Sequence, residues 1–114
     1  MPTIHENQFF TVLVEFEVDP SQQYTFINEI AEQVEQHFKS YAGFVSASFH
    51  ASDDGQRVVN YAQWQSKEAW QDSFHAPNRN EVQTSIDELI SRCGAKTLNS
   101  IPFASCEWSR MYEC

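Results

Sequence analysis

The sequence predicts an α+β fold, an antiparallel sheet with helices on one face, and three observations carry that prediction. Strand-like and helix-like segments follow one another in the order β-α-β-β-α-β, read from apolar periods of two and of about 3.6 residues. Between the middle two strands lies Asp53-Asp54-Gly55-Gln56, whose residue types suit the turn of a hairpin. Finally, 114 residues with 41% hydrophobic content suit one domain, spanning 1–114, with a core of its own.

From Phe9 to Val18 the pattern is that of a strand, with Phe10, Val12, Val14, Phe16 and Val18 on one side and Thr11, Glu15 and Glu17 on the other. Asp19-Pro20 then opens a helix. Asp19 can cap it, Pro20 suits its first position, and Gln22 completes a capping box. Ile27, Ile30, Ala31, Val34, Phe38 and Tyr41 form its apolar stripe, and Gly43 ends it. Phe44 to Ser52 and Arg57 to Gln65 are the two arms of the hairpin. Ser66 caps a short helix that runs to about Phe74, and Pro77 breaks it. Asn78 and Glu81 form another capping box, before the stripe of Val82, Ile86, Leu89, Ile90 and Cys93 and a stop at Gly94. Lys96 to Met111 is a long strand interrupted by Pro102. This is the ferredoxin-like arrangement. The second sheet face, with Phe9, Leu13, Val45, Ala47, Phe49, Val59 and Tyr61, is too apolar for water, so a homodimer formed through the sheet is expected.

Composition narrows the function. Sixteen acidic against seven basic residues give a formal net charge of −9, which argues against nucleic acid and anionic membrane surfaces. No apolar run approaches the roughly 20 residues of a spanning helix. MPTIHENQFF has no secretory pattern, and Cys93, Cys106 and Cys114 are odd in number and lack CxxC spacing. A reduced, cytoplasmic protein without disulfides or a zinc site is expected. Scattered acidic residues and only three glycines imply no metal and no nucleotide cofactor. Sixteen aromatic residues, 14% of the chain, suit either a large core or a cavity for a flat ligand.

The hairpin carries the candidate site. Strict alternation puts Phe44, Ser46, Ser48 and His50 on one face of its first arm and Val58, Asn60, Ala62 and Trp64 on one face of the second. With a three-residue loop and a left-handed Gly55, His50 lies opposite Asn60. His50, Asn60 and Trp64 then converge beneath the helices, with Ser48 beside them. A buried Asn and His need partners, either each other and nearby backbone or a ligand, and their convergence with Trp64 favours a ligand pocket.

The stretch F-H-A-S-D-D-G-Q-R-V-V-N-Y-A-Q-W, followed by S-K-E-A-W, resembles the antibiotic biosynthesis monooxygenase family, and the element order extends the resemblance over roughly residues 8–112. The resemblance implies a dimeric α+β barrel made by two packed sheets. It also implies a cofactor-independent monooxygenase that oxidises a small aromatic, polyphenolic or quinol-like compound with O2. In the branch that makes quinones, the pocket uses a strand histidine, a strand asparagine and tryptophan, and an aromatic hydroxyl on the next helix. These fall on His50, Asn60, Trp64 and Trp70, with an indole where that branch has a phenol. Thr84 stands near the place of the branch's arginine, and Arg79 is the nearest basic residue.

The resemblance thus assigns His50 as base and Asn60 and Trp64 as donors to an oxyanion, while Trp70 serves as a packing wall with Ser48 and Arg79 at the substrate. A second reading is a non-catalytic dimeric module for a small hydrophobic ligand or a protein partner. A third is haem binding or degradation, in which His75, eleven residues after Trp64, would be the ligand. Against it, the first strand offers Val12, Val14 and Phe16 where that branch has a polar asparagine.

Overall fold

A computed structural model describes residues 9–103 of the chain. Four strands, β1 (Phe10–Glu17), β2 (Phe44–Ala51), β3 (Arg57–Trp64) and β4 (Lys96–Phe103), form one antiparallel sheet in the order β2-β3-β1-β4. Three helices, α1 (Gln23–His37), α2 (Lys67–Ser73) and α3 (Arg79–Arg92), complete the ferredoxin-like α+β fold. Lys96 does begin a strand, and the rest of the stretch expected to reach Met111 lies outside the described residues beyond Phe103.

The alternation expected of β1 is present, with Phe10, Val12 and Phe16 buried on the helix side. Phe16 meets Phe26 of α1 edge-on at 5.0 Å, and both join Ile30, Val58, Leu89 and Cys93 in one core cluster. Apolar stripes on α1 and α3 thus cover the same sheet face, the arrangement that period-3.6 patterning dictates.

Caps explain where the helices start. The Asp19 carboxylate accepts from the Ser21 N–H at 2.9 Å, and Pro20 leads a single 3-10 turn into α1. The Ser66 hydroxyl accepts from the Ala69 N–H at 3.0 Å to open α2. The capping box expected at Asn78 does not form. Its side-chain oxygen instead accepts from the Tyr41 hydroxyl at 3.0 Å, tying the segment after α1 to the start of α3. Gly43, at φ +85°, lets α2 come close, since a Cβ there would sit 2.4 Å from Ala69 Cβ.

The register of the hairpin corrects the expected one. β2 pairs with β3 so that His50 faces Val59, Ser48 faces Tyr61 and Phe49 faces Asn60. Two features produce this one-residue shift. The connection is five residues long, Ser52 to Gln56, with Gly55 at φ +78° packed on Pro20. At the other end a bulge at Val45 leaves Phe44 beside Trp64 but turns every later residue of β2 over. Ser46, Ser48 and His50 therefore lie on the outer face, away from the helices, while Ala47 and Phe49 lie on the inner one.

Buried Gln23 holds the connection in place. Its side-chain amide donates to the Ser52 carbonyl at 3.1 Å and to the Arg57 carbonyl at 2.9 Å. On the outer face, Leu13, Val59, Tyr61 and Ile101 form an apolar area at one end, with Tyr61 and Ile101 about two-fifths exposed (43% and 40%). Arg57 reaches Glu15 and Glu17 at 3.5 and 3.8 Å at the other end.

Candidate active site

Under the helices, the inner face of the sheet bounds a cavity of about 270 Å³. That is just below the roughly 300–1,000 Å³ usual for small-molecule sites, a size for a compact flat ligand. β3 supplies Asn60, Ala62 and Trp64 to it, because these residues share the inward side of one strand. Trp64 is only 2% exposed and stacks edge-on with Phe44 at 5.2 Å and with Phe38 at 6.3 Å.

A second group of aromatic residues closes the wall. Trp70 of α2 stands between Phe10 and Phe74, 5.3 Å from each ring. Arg79, the first residue of α3, joins the two groups, with its guanidinium 5.0 Å from the Phe38 ring and 4.8 Å from the Phe74 ring. From there α3 presents Arg79, Gln83, Ile86, Asp87 and Ile90 to the cavity. Three of these, Arg79, Gln83 and Asp87, are spaced four apart and make a polar row on one side of the helix.

Two polar atoms stand out. The Asn60 Oδ1 and the Arg79 Nη1 are buried, and neither has a hydrogen-bond partner among the described residues. Buried polar atoms are nearly always paired, and leaving one unpaired is unfavourable. Both residues line the same cavity, so a ligand there can supply what the protein does not. Asn60 carries an acceptor and two donors, and Arg79 carries donors only.

Of the residues singled out from the sequence, the structure thus brings together Asn60, Trp64, Trp70 and Arg79. It does not bring His50 or Ser48 to them. Both are exposed on the outer face, so the expectation that His50 faces Asn60 is corrected by the register, and His50 is not placed to take a proton from a molecule in this cavity. His75 is exposed on the turn between α2 and α3 and is not part of the lining, and Thr84 is likewise exposed. Cys93 is 3% exposed in the core, where burial above all pushes its thiol up, so it is a poor nucleophile. Among the described residues, no group of three His, Cys, Asp or Glu is placed to hold a metal ion. No helix among them is long and apolar enough to cross a membrane.

Sequence reasoning missed Phe38, Phe44 and Phe74 as lining and Gln83 and Asp87 as the polar row. The spacing 79, 83, 87 was the available signal, set one position away from the apolar stripe of the same helix.

A ferredoxin-like domain with an aromatic cavity between sheet and helices, holding an unpartnered amide oxygen and guanidinium nitrogen, offers a candidate small-molecule site. Comparison with known proteins narrows the class. The family model of antibiotic biosynthesis monooxygenases matches residues 9–84, and the chain belongs to that family. Over 83 residues it is 36% identical to the tetracenomycin-F1 monooxygenase of Streptomyces glaucescens, spanning 73% of this chain and 73% of that one. Its structure is similar to that of a monooxygenase from the gene ActVA-Orf6 of Streptomyces coelicolor, solved in complex with nanaomycin D. The TM-score is 0.70 at 29% identity, covering 90% of this chain and 91% of the other. The fold is also that of SnoaB, a cofactor-independent oxygenase of Streptomyces nogalater, with a TM-score of 0.62 at 17% identity over 90% and 98% of the two chains.

Proposed function

We propose that this protein is a cofactor-independent monooxygenase that oxidises a small polyphenolic or quinol-like aromatic compound with O2 in the cavity between sheet and helices. The observation that carries the reading is the unpartnered Asn60 amide, on the same inward row of β3 as Trp64, in an aromatic cavity of a chain from a monooxygenase family. For an anthrone-type ring the reaction balances simply. The ring methylene becomes a carbonyl, one oxygen atom of O2 stays in it, the other leaves as water, and the substrate supplies all four electrons.

The chain's own part is electrostatic. An electron-rich phenol reduces O2 readily only after losing its proton, so the site must favour the anion. The Asn60 amide accepts from the hydroxyl while it is neutral and can turn an N–H to the oxyanion afterwards. The Trp64 indole offers a second neutral donor. With His50 on the outer face, the proton leaves to solvent through the cavity mouth. Phe38, Phe44, Trp70 and Phe74 hold the flat ring and keep water from it, which strengthens each of these bonds.

The test is O2 uptake by metal-stripped protein offered anthrones, naphthols and hydroquinones, beside an Asn60→Ala control. Uptake that needs Asn60 supports the reading. Ligand binding without any uptake moves the assignment to a non-catalytic binding module. The reading also includes a homodimer in which a second copy covers Leu13, Val59, Tyr61 and Ile101. Sedimentation should give a dimer for the native chain and a monomer for Tyr61→Glu; a native monomer would exclude this arrangement.

A further inference from the structure

Oxidation in the cavity requires a ring hydroxyl to lose its proton, and the register of β2 removes the acceptor expected from the sequence, since His50 lies on the outer face. Among the described residues the lining holds two ionisable side chains, Arg79 and Asp87. Arginine stays protonated and has no acceptor. The other polar groups of the lining are amides, indoles and hydroxyls, none of them a base near neutrality. The Asp87 carboxylate is what remains to take a proton from a molecule in this space.

Its surroundings suit that task. Asp87 follows Gln83 by four residues on the same side of α3, and its Oδ1 accepts from the Gln83 side-chain amide at 2.9 Å. That bond fixes the plane of the carboxylate and leaves the other oxygen for a ligand, the relation of a base to the group that orients it. Among the described residues Asp87 forms no ion pair, so it can lose its charge without breaking one. From β1, β2, β3, β4, α1 and α2 no charged side chain reaches the lining, and Arg79 stands two turns back on α3, about 12 Å along the axis. Asp87 is exposed as well as part of the lining, which puts it where the cavity meets water.

We infer that Asp87 is the catalytic base of the oxidation and takes the hydroxyl proton of the ring. This rests on the reading of the cavity as an oxygenase site. The O–H bond breaks with its electron pair left on the oxygen, where the Asn60 amide and the Trp64 indole favour the anion, and the proton goes to the free Asp87 oxygen. Asp87 then passes that proton to solvent at the cavity mouth. For the enol form of an anthrone, the anion gives its electrons to O2 and binds it at the opposite ring carbon. The peroxide so formed takes one proton from solvent, and the hydroperoxide loses water to leave the carbonyl. A carboxylate is a weaker base than the anion it creates, so the transfer depends on those two donors and on consumption of the anion by O2.

The test is O2 uptake against pH, from the best of the anthrones, naphthols and hydroquinones, by the native protein, Asp87→Asn and Asp87→Ala. Glu88→Gln serves as control, because it removes a charge from the adjacent exposed position outside the lining. Asp87→Asn should lose about 100-fold in kcat, with KM within about threefold of native. Its rate should rise about tenfold per pH unit as hydroxide takes over, more steeply than the native rate. Formate should restore uptake to Asp87→Ala in proportion to its concentration and leave the native rate unchanged. Glu88→Gln should stay within about twofold of native. The Asp87 side chain is exposed and bonded to Gln83, so both variants should keep the native circular dichroism, and either one carries the prediction if the other does not fold.

A loss confined to KM, a pH profile parallel to the native one, or no rescue by formate overturns the inference. Full uptake by Asp87→Asn removes Asp87 alone and leaves the oxygenase reading standing. No uptake by the native protein from any of the compounds removes both.

Discussion

β2 and β3 are the two arms of one hairpin, each eight residues long, and each carries side chains suited to chemistry. Only β3 delivers them to the cavity. Asn60 and Trp64 lie two residues either side of Ala62 on an unbroken inward row, and β3 is paired along both edges, with β1 and with β2. β2 is an edge strand with a bulge at Val45, and its His50 and Ser48 face outward. A strand flanked on both sides has its faces fixed by two registers. An edge strand can invert through one bulge, at little cost in hydrogen bonds.

The largest effect is expected of Asn60→Ala. If β3 presents the reacting group, O2 uptake with the best substrate of the panel should drop by about 100- to 1,000-fold, the scale of losing one donor to a developing oxyanion. The side chain makes no hydrogen bond within the protein through Oδ1, so circular dichroism and thermal midpoint should stay close to native. A variant that keeps full uptake would remove Asn60 from the site.

Next in size is the clamp that fixes the arm of β2. Gln23→Ala deletes two bonds from a buried amide to the Ser52 and Arg57 carbonyls. At about 1 kcal/mol for each bond, and more for a buried gap, unfolding in urea should show a loss of about 1–3 kcal/mol. Amide exchange should quicken along β2 more than along β3. A uniform change in both strands would mean that the amide stabilises the core and does not hold the register.

A smaller effect follows from the turn. The Ser52 hydroxyl donates to the Asp54 carboxylate at 2.7 Å and the Gln56 N–H donates at 2.9 Å, and the hydroxyl bond contributes most to holding that carboxyl below its usual 3.8. A group depressed in the folded state stabilises it above the unfolded value and loses that contribution as pH falls through the folded one. Asp54→Asn should therefore be less stable than native near neutrality, and the gap in urea midpoint should close as pH drops well below 3.8. Asp19, lowered in the same way by Ser21, titrates in both proteins and cancels from the difference. A gap that is independent of pH would mean that packing of the turn matters and its charge does not.

Much of the fold was legible because each part of it is local. Apolar periods, the Asp19 and Ser66 caps and the glycines at 43 and 94 mark elements without reference to anything distant. Asn60 and Trp64 were legible for the same reason, being two inward steps of one alternating strand. His50 was not, because its face depends on the five-residue connection held by Gln23 and Pro20, and on a bulge at Val45 that nothing in the local sequence marks. Asn78 shows the same limit. Its capping box was readable, but the Tyr41 hydroxyl, distant in sequence, takes the oxygen that the box needs. Arg79 became informative only once its guanidinium was seen to lie over the Phe38 and Phe74 rings.

The smallest expected effect is the most direct check on the register. His50→Ala removes an imidazole that faces Val59 on the outer side of the sheet, with the whole thickness of the strand between it and the cavity. Uptake should stay within about twofold of native, as for a surface substitution far from the reacting atoms. A sheet-to-sheet dimer makes the experiment more discriminating, since the same side chain then lies near the contact between copies. Loss of uptake together with dissociation would place His50 in assembly. A tenfold loss in an intact dimer would put the imidazole at the reaction and require β2 to shift by one residue, the arrangement that the bulge at Val45 and the Gln23 clamp oppose.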